Sequence, residues 1–380
     1  MKIKILVSLM LLCCCMGMCA CSKGAGTEKN NKSVKNETEN TGSDEPMEIA
    51  EFSGELDFDY VYETDCQSER GEYVKTVYTE DGKYYLENIG ESNERLLHFY
   101  DNASGKDVIV CSKSNCEHSA EGCDAYFSEA EYPFQQLWYY QEALYTWMLR
   151  EDYICIEKIS LDGSVREESC VLTRLNVESE VQADGLEHSQ IHYPEMQLHR
   201  GYVYYSTYYP GCTEVRLYRV KLESEEEAEL LYSYQGNNPG LYRIKPYGRY
   251  VLFQMGSFSE DYINMDASIY AYDTEEENIS RICQDAIREY TVIGNCLYYL
   301  DLKDNVYRKD LETGEITLFF ETDISTDFYN CRLFGTEAGL VYEITDWNAG
   351  AKVQQILLDY DENGKEPEKF NGKEFQPYSF

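Results

Sequence analysis

Positive charge is scarce in this sequence: 33 Lys and Arg stand against 70 Asp and Glu over 380 residues, a formal charge of −37 at pH 7. A chain this acidic repels phosphate backbones, so no nucleic acid is expected as a partner. Helical periodicity is nearly absent as well. That removes the two-lobed solute receptors that feed transporters, whose lobes alternate helix and strand. Catalytic signatures are missing too. There is no G-x-S-x-G elbow for a serine hydrolase of the prolyl-peptidase type, and no S-x-D-x-G-x-x-W sialidase box. The five histidines include no H-E-x-x-H pair.

What is present begins at the N-terminus. Met1-Lys2-Ile3-Lys4 precedes an apolar run from Ile5 to about Met18. Two lysines ahead of a short apolar stretch make a secretory signal, too short and wrongly flanked for a spanning helix. The run closes Met18-Cys19-Ala20-Cys21-Ser22-Lys23. Ala20 before Cys21, with a polar stretch after it, resembles the lipobox of bacterial lipoproteins, whose cysteine is acylated and becomes residue one. Met18 departs from that motif's usual leucine, and Cys19 fills a slot usually held by a small residue. The resemblance implies a lipoprotein signal peptide over 1–20 and a lipidated Cys21. It also implies a lipid anchor in the cell membrane, on its extracytoplasmic face. A conventionally cleaved signal is the alternative. Residues 22–50 carry almost no apolar side chain, so 21–50 is expected to be a lipidated cysteine with a flexible tether.

The body, 51–380, is rich in tyrosine: there are 36 in the chain, against eight prolines. Short aromatic and β-branched runs alternate with Asp-Gly, Asn-Gly and Thr-Gly turns, the signature of strands and hairpins. A unit recurs, in which a Tyr-rich strand is followed by a strand ending in an acidic turn. Five copies start at Gly82-Lys83-Tyr84-Tyr85-Leu86, Leu144-Tyr145-Thr146-Trp147, Gly201-Tyr202-Val203-Tyr204-Tyr205, Arg249-Tyr250-Val251-Leu252-Phe253 and Asn295-Cys296-Leu297-Tyr298-Tyr299. A sixth starts at Gly339-Leu340-Val341-Tyr342-Glu343. Their spacing of roughly 40 to 60 residues suits one four-stranded blade plus loops. The fold class expected is all-β, a β-propeller of six to eight four-stranded blades, with Leu56–Glu63 and 374–380 pairing to close the ring.

These units resemble the low-density-lipoprotein-receptor-type (YWTD-like) propeller repeats of uncharacterised lipoproteins from Firmicutes. The closest piece runs from Asp101-Asn102-Ala103-Ser104-Gly105-Lys106 through Cys111, Cys116-Glu117-His118 and Cys123-Asp124-Ala125-Tyr126-Phe127. The resemblance implies fold and location, and carries no activity.

Ten cysteines belong to the body: 66, 111, 116, 123, 155, 170, 212, 283, 296 and 331. Most sit in apolar strand-like runs, where cysteine acts as a small hydrophobe. The cluster Cys111-x4-Cys116-x-His118-x4-Cys123 differs, because three thiols and an imidazole match the ligand set of a structural zinc ion. An exported location favours a disulfide between two of them over zinc, the third buried or joined to Cys66. Both alternatives staple the same excursion. Asp359-x-Asp361-x-Asn363-Gly364 opens like a calcium loop but places Phe370 where the bidentate glutamate belongs, so an acidic turn is expected. His188, His192 and His199 near Pro194, with Glu187 and Glu195 beside them, could ligate a metal at a propeller face, but without H-E-x-x-H spacing they are expected as solvated loop residues. Trp138, Trp147 and Trp347 suit core positions or a sugar-stacking face.

The function expected is a monomeric, non-catalytic binding or interaction module for an extracellular peptide, glycan or protein. Its rival is a carbohydrate-active enzyme using channel-lining carboxylates. A gathering of carboxylates around one pocket at the inner-strand ends would favour the rival.

Overall fold

A computed structural model describes residues 49–52, 76–174, 195–207, 213–258, 265–321, 329–346, 351–358 and 368–369, apart from 91, 120–121, 133–135, 152, 237, 285–286 and 337–338. The expected sequence signal, lipidated Cys21, calcium-like loop and ring-closing ends all lie outside the described residues. All elements among the described residues are strands, and they form six sheets, each built on four consecutive antiparallel strands.

The first blade holds β2 (Thr76–Tyr78), β3 (Gly82–Asn88), β4 (Arg95–Asp101) and β5 (Asp107–Ile109), with β6 (Tyr126–Phe127) also paired to β4. The second holds β7 (Trp138–Tyr140), β8 (Ala143–Leu149), β9 (Tyr153–Ser160) and β10 (Arg166–Arg174). The third holds β11 (Met196–His199), β12 (Tyr202–Thr207), β13 (Glu214–Lys221) and β14 (Glu229–Gln235). The fourth consists of β15 (Pro239–Tyr247), β16 (Tyr250–Phe258), β17 (Met265–Asp273) and β18 (Asn278–Cys283). The fifth consists of β19 (Glu289–Ile293), β20 (Cys296–Leu300), β21 (Val306–Asp310) and β22 (Ile316–Phe320). The sixth consists of β23 (Tyr329–Thr336), β24 (Gly339–Asp346), β25 (Ala351–Leu358) and β26 (Glu368–Lys369).

Burial across a blade explains the repeat seen in the sequence. The Tyr-rich runs are second strands, and β8 and β20 are buried on both faces along almost their whole length. Fourth strands such as β14 and β22 are exposed or half-exposed throughout. A strand clamped between two neighbouring blades needs apolar or aromatic side chains at every position, whereas an outer strand does not. Each fully buried Leu, Val or Phe on such a strand contributes about 1.5–3 kcal/mol of transfer free energy.

Five apolar clusters join successive blades. Leu97 and Phe127 pack with Leu144 and Cys155, and Trp147 with Leu198 and Tyr205. Val215 and Leu217 pack with Val251 and Phe253, Leu252 with Leu297, and Leu300 with Leu340. First strands of neighbouring blades meet, β2 with β7, β11 with β15 and β19 with β23, so these strands line the axis. The molecule is therefore a β-propeller, with six blades among the described residues.

One turn shows how tightly the pattern is constrained. A Cβ on Gly82 would lie 1.9 Å from the Tyr100 carbonyl oxygen, so only glycine fits where β3 crosses β4. At the body's N-terminal edge, β1 (Ala50–Glu51) adds to the fourth blade, parallel to β18. Phe52 donates its N–H to the Arg281 carbonyl at 2.8 Å and meets the Tyr250 ring edge-on. Sequence had placed residue 50 in the tether; its pairing makes it the start of a fifth strand on that blade.

Candidate functional site

The excursion from blade one leaves β5 at Val110 and returns at β6. Its first residues are pinned by Val110 N–H on the Leu97 carbonyl (2.9 Å) and its last by β6 pairing with Arg95 and Leu96. In between, Asn115, His118 and Gly122 adopt left-handed backbone, φ 65°, 52° and 95°. For a non-glycine residue that conformation is uncommon and persists where surrounding structure enforces it. The outcome is convergence: one ligand atom from each of Cys111, Cys116, His118 and Cys123 lies within 4.8 Å of all the others.

His118 Nδ1 is 3.4 Å from Cys123 Sγ. Cys111 Sγ accepts the backbone N–H groups of Lys113 and Asp124, and Cys123 Sγ that of Ala125. Burial opposes ionisation of Cys111, but those N–H donors together with hydrogen bonds from Cys123 and Cys116 outweigh it and bring the thiol below its ordinary value. Burial dominates at Cys123, and competition for protons with Cys111 and Cys116 adds to it, pushing that thiol up to about 12. Lys113 Nζ sits 2.7 Å from Asp124 Oδ1 and also donates to the Gly122 carbonyl, tying the loop's two ends together. Cys111, Cys116 and Cys123 carry no disulfide bond. Cys66 lies outside the described residues.

Blade two holds this loop from below. Arg166 on β10 donates through Nη1 to the carbonyls of Asp124 (3.0 Å) and Tyr126 (2.9 Å), immediately after Cys123. Its Nη2 reaches Glu157 Oε2 and the Tyr132 hydroxyl, both at 2.6 Å. The guanidinium also stacks over Phe127, 4.4 Å from the ring centroid. Gly163 in the β9–β10 turn supports the loop's start: at φ 72° its missing Cβ would fall 2.4 Å from the Val110 oxygen.

A second grouping lies on the axial strands of blades four and five. The β15–β16 ladder slips register between Tyr242 and Lys245, a bulge that carries Arg243 at φ 52°. Bulges redirect side chains and are common beside binding sites. Arg243 Nε donates to Glu289 Oε2 (3.0 Å) and its Nη1 to Gln254 Oε1 (3.2 Å). Lys245 Nζ donates to Glu289 Oε1 (3.0 Å) and the Tyr290 carbonyl (2.6 Å). Glu195, just before β11, accepts the Ile244 N–H at 2.7 Å. The Arg243 side chain is walled in by these strands, yet it stays 35% exposed, against 6% for Lys245 and 13% for Glu289. Burial opposes the Glu289 charge, but Lys245 and Arg243 overcome it and hold the carboxyl down to about 2. Glu289 in turn holds Arg243 above its usual value against the same burial.

Other sequence candidates fall elsewhere. His199, expected in a solvated loop, is wholly buried on β11, with Nε2 2.7 Å from the Gly248 carbonyl. The residue belongs to an axial strand, which sequence could not distinguish from the loop before it. His188 and His192 lie outside the described residues. Trp138 and Trp147 are core residues; Trp347 is outside the described set. Arg243 and Glu289 had no motif to single them out. The only sequence trace was the Arg-Ile-Lys run entering Pro246, a charged interruption in a strand.

No family model matches the sequence, and no curated protein matches it. Among solved structures, an oligogalacturonate lyase from Vibrio parahaemolyticus is 10% identical, with 79% of this chain and 80% of that one covered at TM-score 0.46. The β-propeller domain of the trilobed protease from Pyrococcus furiosus is 9% identical, covering 78% and 83% at TM-score 0.44. An acylaminoacyl peptidase from Pyrococcus horikoshii is 12% identical, covering 80% of this chain and 45% of that one at TM-score 0.45. Similarity at this level transfers no activity; the fold stands on the sheets themselves.

Proposed function

We propose that this chain is an exported lipoprotein, held by an acylated Cys21 at the extracytoplasmic face of the cell membrane, whose monomeric propeller is a non-catalytic binding module. Arg243 carries this proposal. A left-handed arginine on a bulged axial strand is costly to maintain, and its side chain stays part-exposed in a strongly acidic chain. Such a group recognises a carboxylate on a peptide or an acidic glycan.

The rival, a carbohydrate-active enzyme, needs a carboxylic acid that stays protonated to donate to the leaving oxygen. Glu289 is driven the opposite way by its two cations, and Glu195 is engaged by a backbone N–H. Both observations favour binding over proton transfer. The test is an array of acidic and neutral oligosaccharides and short peptides, probed with the wild-type chain and with Arg243→Gln. Retention of carboxylate-bearing probes by wild type, at least tenfold weaker in the variant and without bond cleavage, is the expected result. Cleavage of any probe in an Arg243-dependent manner would establish the rival. Metabolic labelling with a fatty acid, lost in Cys21→Ala, tests the anchor separately.

A further inference from the structure

We propose that Cys111, Cys116, His118 and Cys123 hold one zinc ion in a closed tetrahedral site that clips the loop between β5 and β6 against blades one and two. Zinc bound through Cys at about 2.3 Å and His at about 2.0–2.1 Å sets tetrahedral edges of about 3.8 Å between sulfurs and about 3.5 Å between sulfur and nitrogen. The observed Nδ1–Sγ separation of 3.4 Å matches the second value, and the whole set closes within 4.8 Å. Four converging donors are the full coordination of a structural site, and three thiolates with one imidazole is a soft set that suits zinc.

A disulfide accounts for less of what is seen. It would consume two sulfurs and leave the third thiol and the imidazole converging on nothing. Three left-handed residues within eight positions, Asn115, His118 and Gly122, are what bring all four donors to a common centre. The backbone N–H groups of Lys113, Asp124 and Ala125 point at sulfur, an arrangement that stabilises thiolate rather than disulfide. The sum of three thiolates and Zn²⁺ is one negative charge, and the Lys113 ammonium lies in the field of Cys111 and Cys116. With Arg166 gripping the carbonyls that follow Cys123, and with β6 contributing only a two-residue pairing, the ion would add a central fixed point to the segment.

The test is metal analysis with thiol counting on the full chain purified without chelator or added metal. One zinc per chain is expected, with Cys111, Cys116 and Cys123 protected from alkylation until a chelator removes the ion. Replacement by cobalt(II) should give the ligand-field spectrum of a tetrahedral site. Cys116→Ser should lose about one third of the sulfur-to-cobalt charge-transfer intensity, as follows from three thiolate ligands becoming two. His118→Cys should keep the metal and gain intensity by a similar fraction, which separates loss of a ligand from loss of fold. No metal with two of the three sulfurs disulfide-bonded, or no metal with all three thiols reactive, would overturn the proposal. So would a different metal at that stoichiometry.

Discussion

Replacing Arg166 by methionine isolates the strongest polar contact between blade two and the Cys/His loop. The guanidinium is 18% exposed and its partner Glu157 8%, so both charges are largely out of water. The variant loses two bonds to Glu157 (3.2 and 2.6 Å), one to Tyr132 and two to loop carbonyls. What remains is a buried carboxylate with only the Tyr132 hydroxyl, at 2.8 Å, donating to it. Removing one partner of a buried pair costs about 3–5 kcal/mol, chiefly because the other charge is stranded. For a body of this size, at about 2 cal/mol/K of unfolding entropy per residue, each kcal/mol lowers Tm by about 1.5 °C, so a drop on the order of 5 °C is expected by calorimetry or circular dichroism. Changing Glu157 to leucine in the same chain removes the stranded charge. The double variant should therefore recover most of the loss, leaving a coupling energy of about 2 kcal/mol or more in the cycle. A single variant that melts within about 1 kcal/mol of wild type, or a double variant that falls by the sum of the two singles, would refute the reasoning.

Glu289 offers a pH test. Its folded value of about 2 lies below the usual glutamate value, so its stabilising contribution is complete above about pH 4.3 and is lost as pH falls towards 2. Glu289→Gln should lower stability at pH 7 and flatten its decline across that window, read by urea unfolding at several pH values. Gly82→Ala puts a methyl group 1.9 Å from the Tyr100 oxygen and should cost about 1–3 kcal/mol or more, measured as a shift in the urea midpoint at unchanged slope. Burial pushes the Cys155 and Cys170 thiols up to about 12, so neither should react with a maleimide in the native chain at pH 8 and both should do so in denaturant.

The propeller was legible because its second strands are the most buried, on both faces in β8 and β20 and on alternate residues in β3. That demand writes Tyr84, Leu86, Tyr145, Trp147, Tyr204, Tyr205, Leu297 and Tyr299 into a repeat that can be aligned by eye. The Cys/His excursion was legible for a different reason: its donor types cluster within thirteen residues of chain. What sequence did not reveal depends on backbone irregularity. Arg243 reaches Glu289 across 46 positions only because the β15 ladder slips by a residue, and no local pattern encodes that slip. Similarly, His199 read as a loop residue because the axial strand β11 is just four residues long. The docking of β1 on β18 joins residues some 230 positions apart through Glu51 and Arg281, and no periodicity links them.

The same geometry accounts for the chain's acidity. A propeller hides its axial strands but leaves the fourth strand of each blade with an unpaired edge, a template for pairing with another chain. Here Val108, Leu230, Ile316 and Leu318 are exposed on such strands, so the outer rim is not protected by polarity alone. Blade four is shielded by its own N-terminal segment, whose Glu51 pairs with Arg281 on the edge strand. For the other edges, a formal charge of −37 provides repulsion between copies that extends over a Debye length of about 8 Å at physiological salt. Excess carboxylate thereby opposes edge-to-edge pairing between copies. The cations withdrawn from water among the described residues, Arg95 and Lys245 fully and Arg166 largely, are each held by oxygen acceptors, the Tyr132 carbonyl, Glu289 and Glu157, so they stabilise the interior and leave the outer charge balance to the carboxylates.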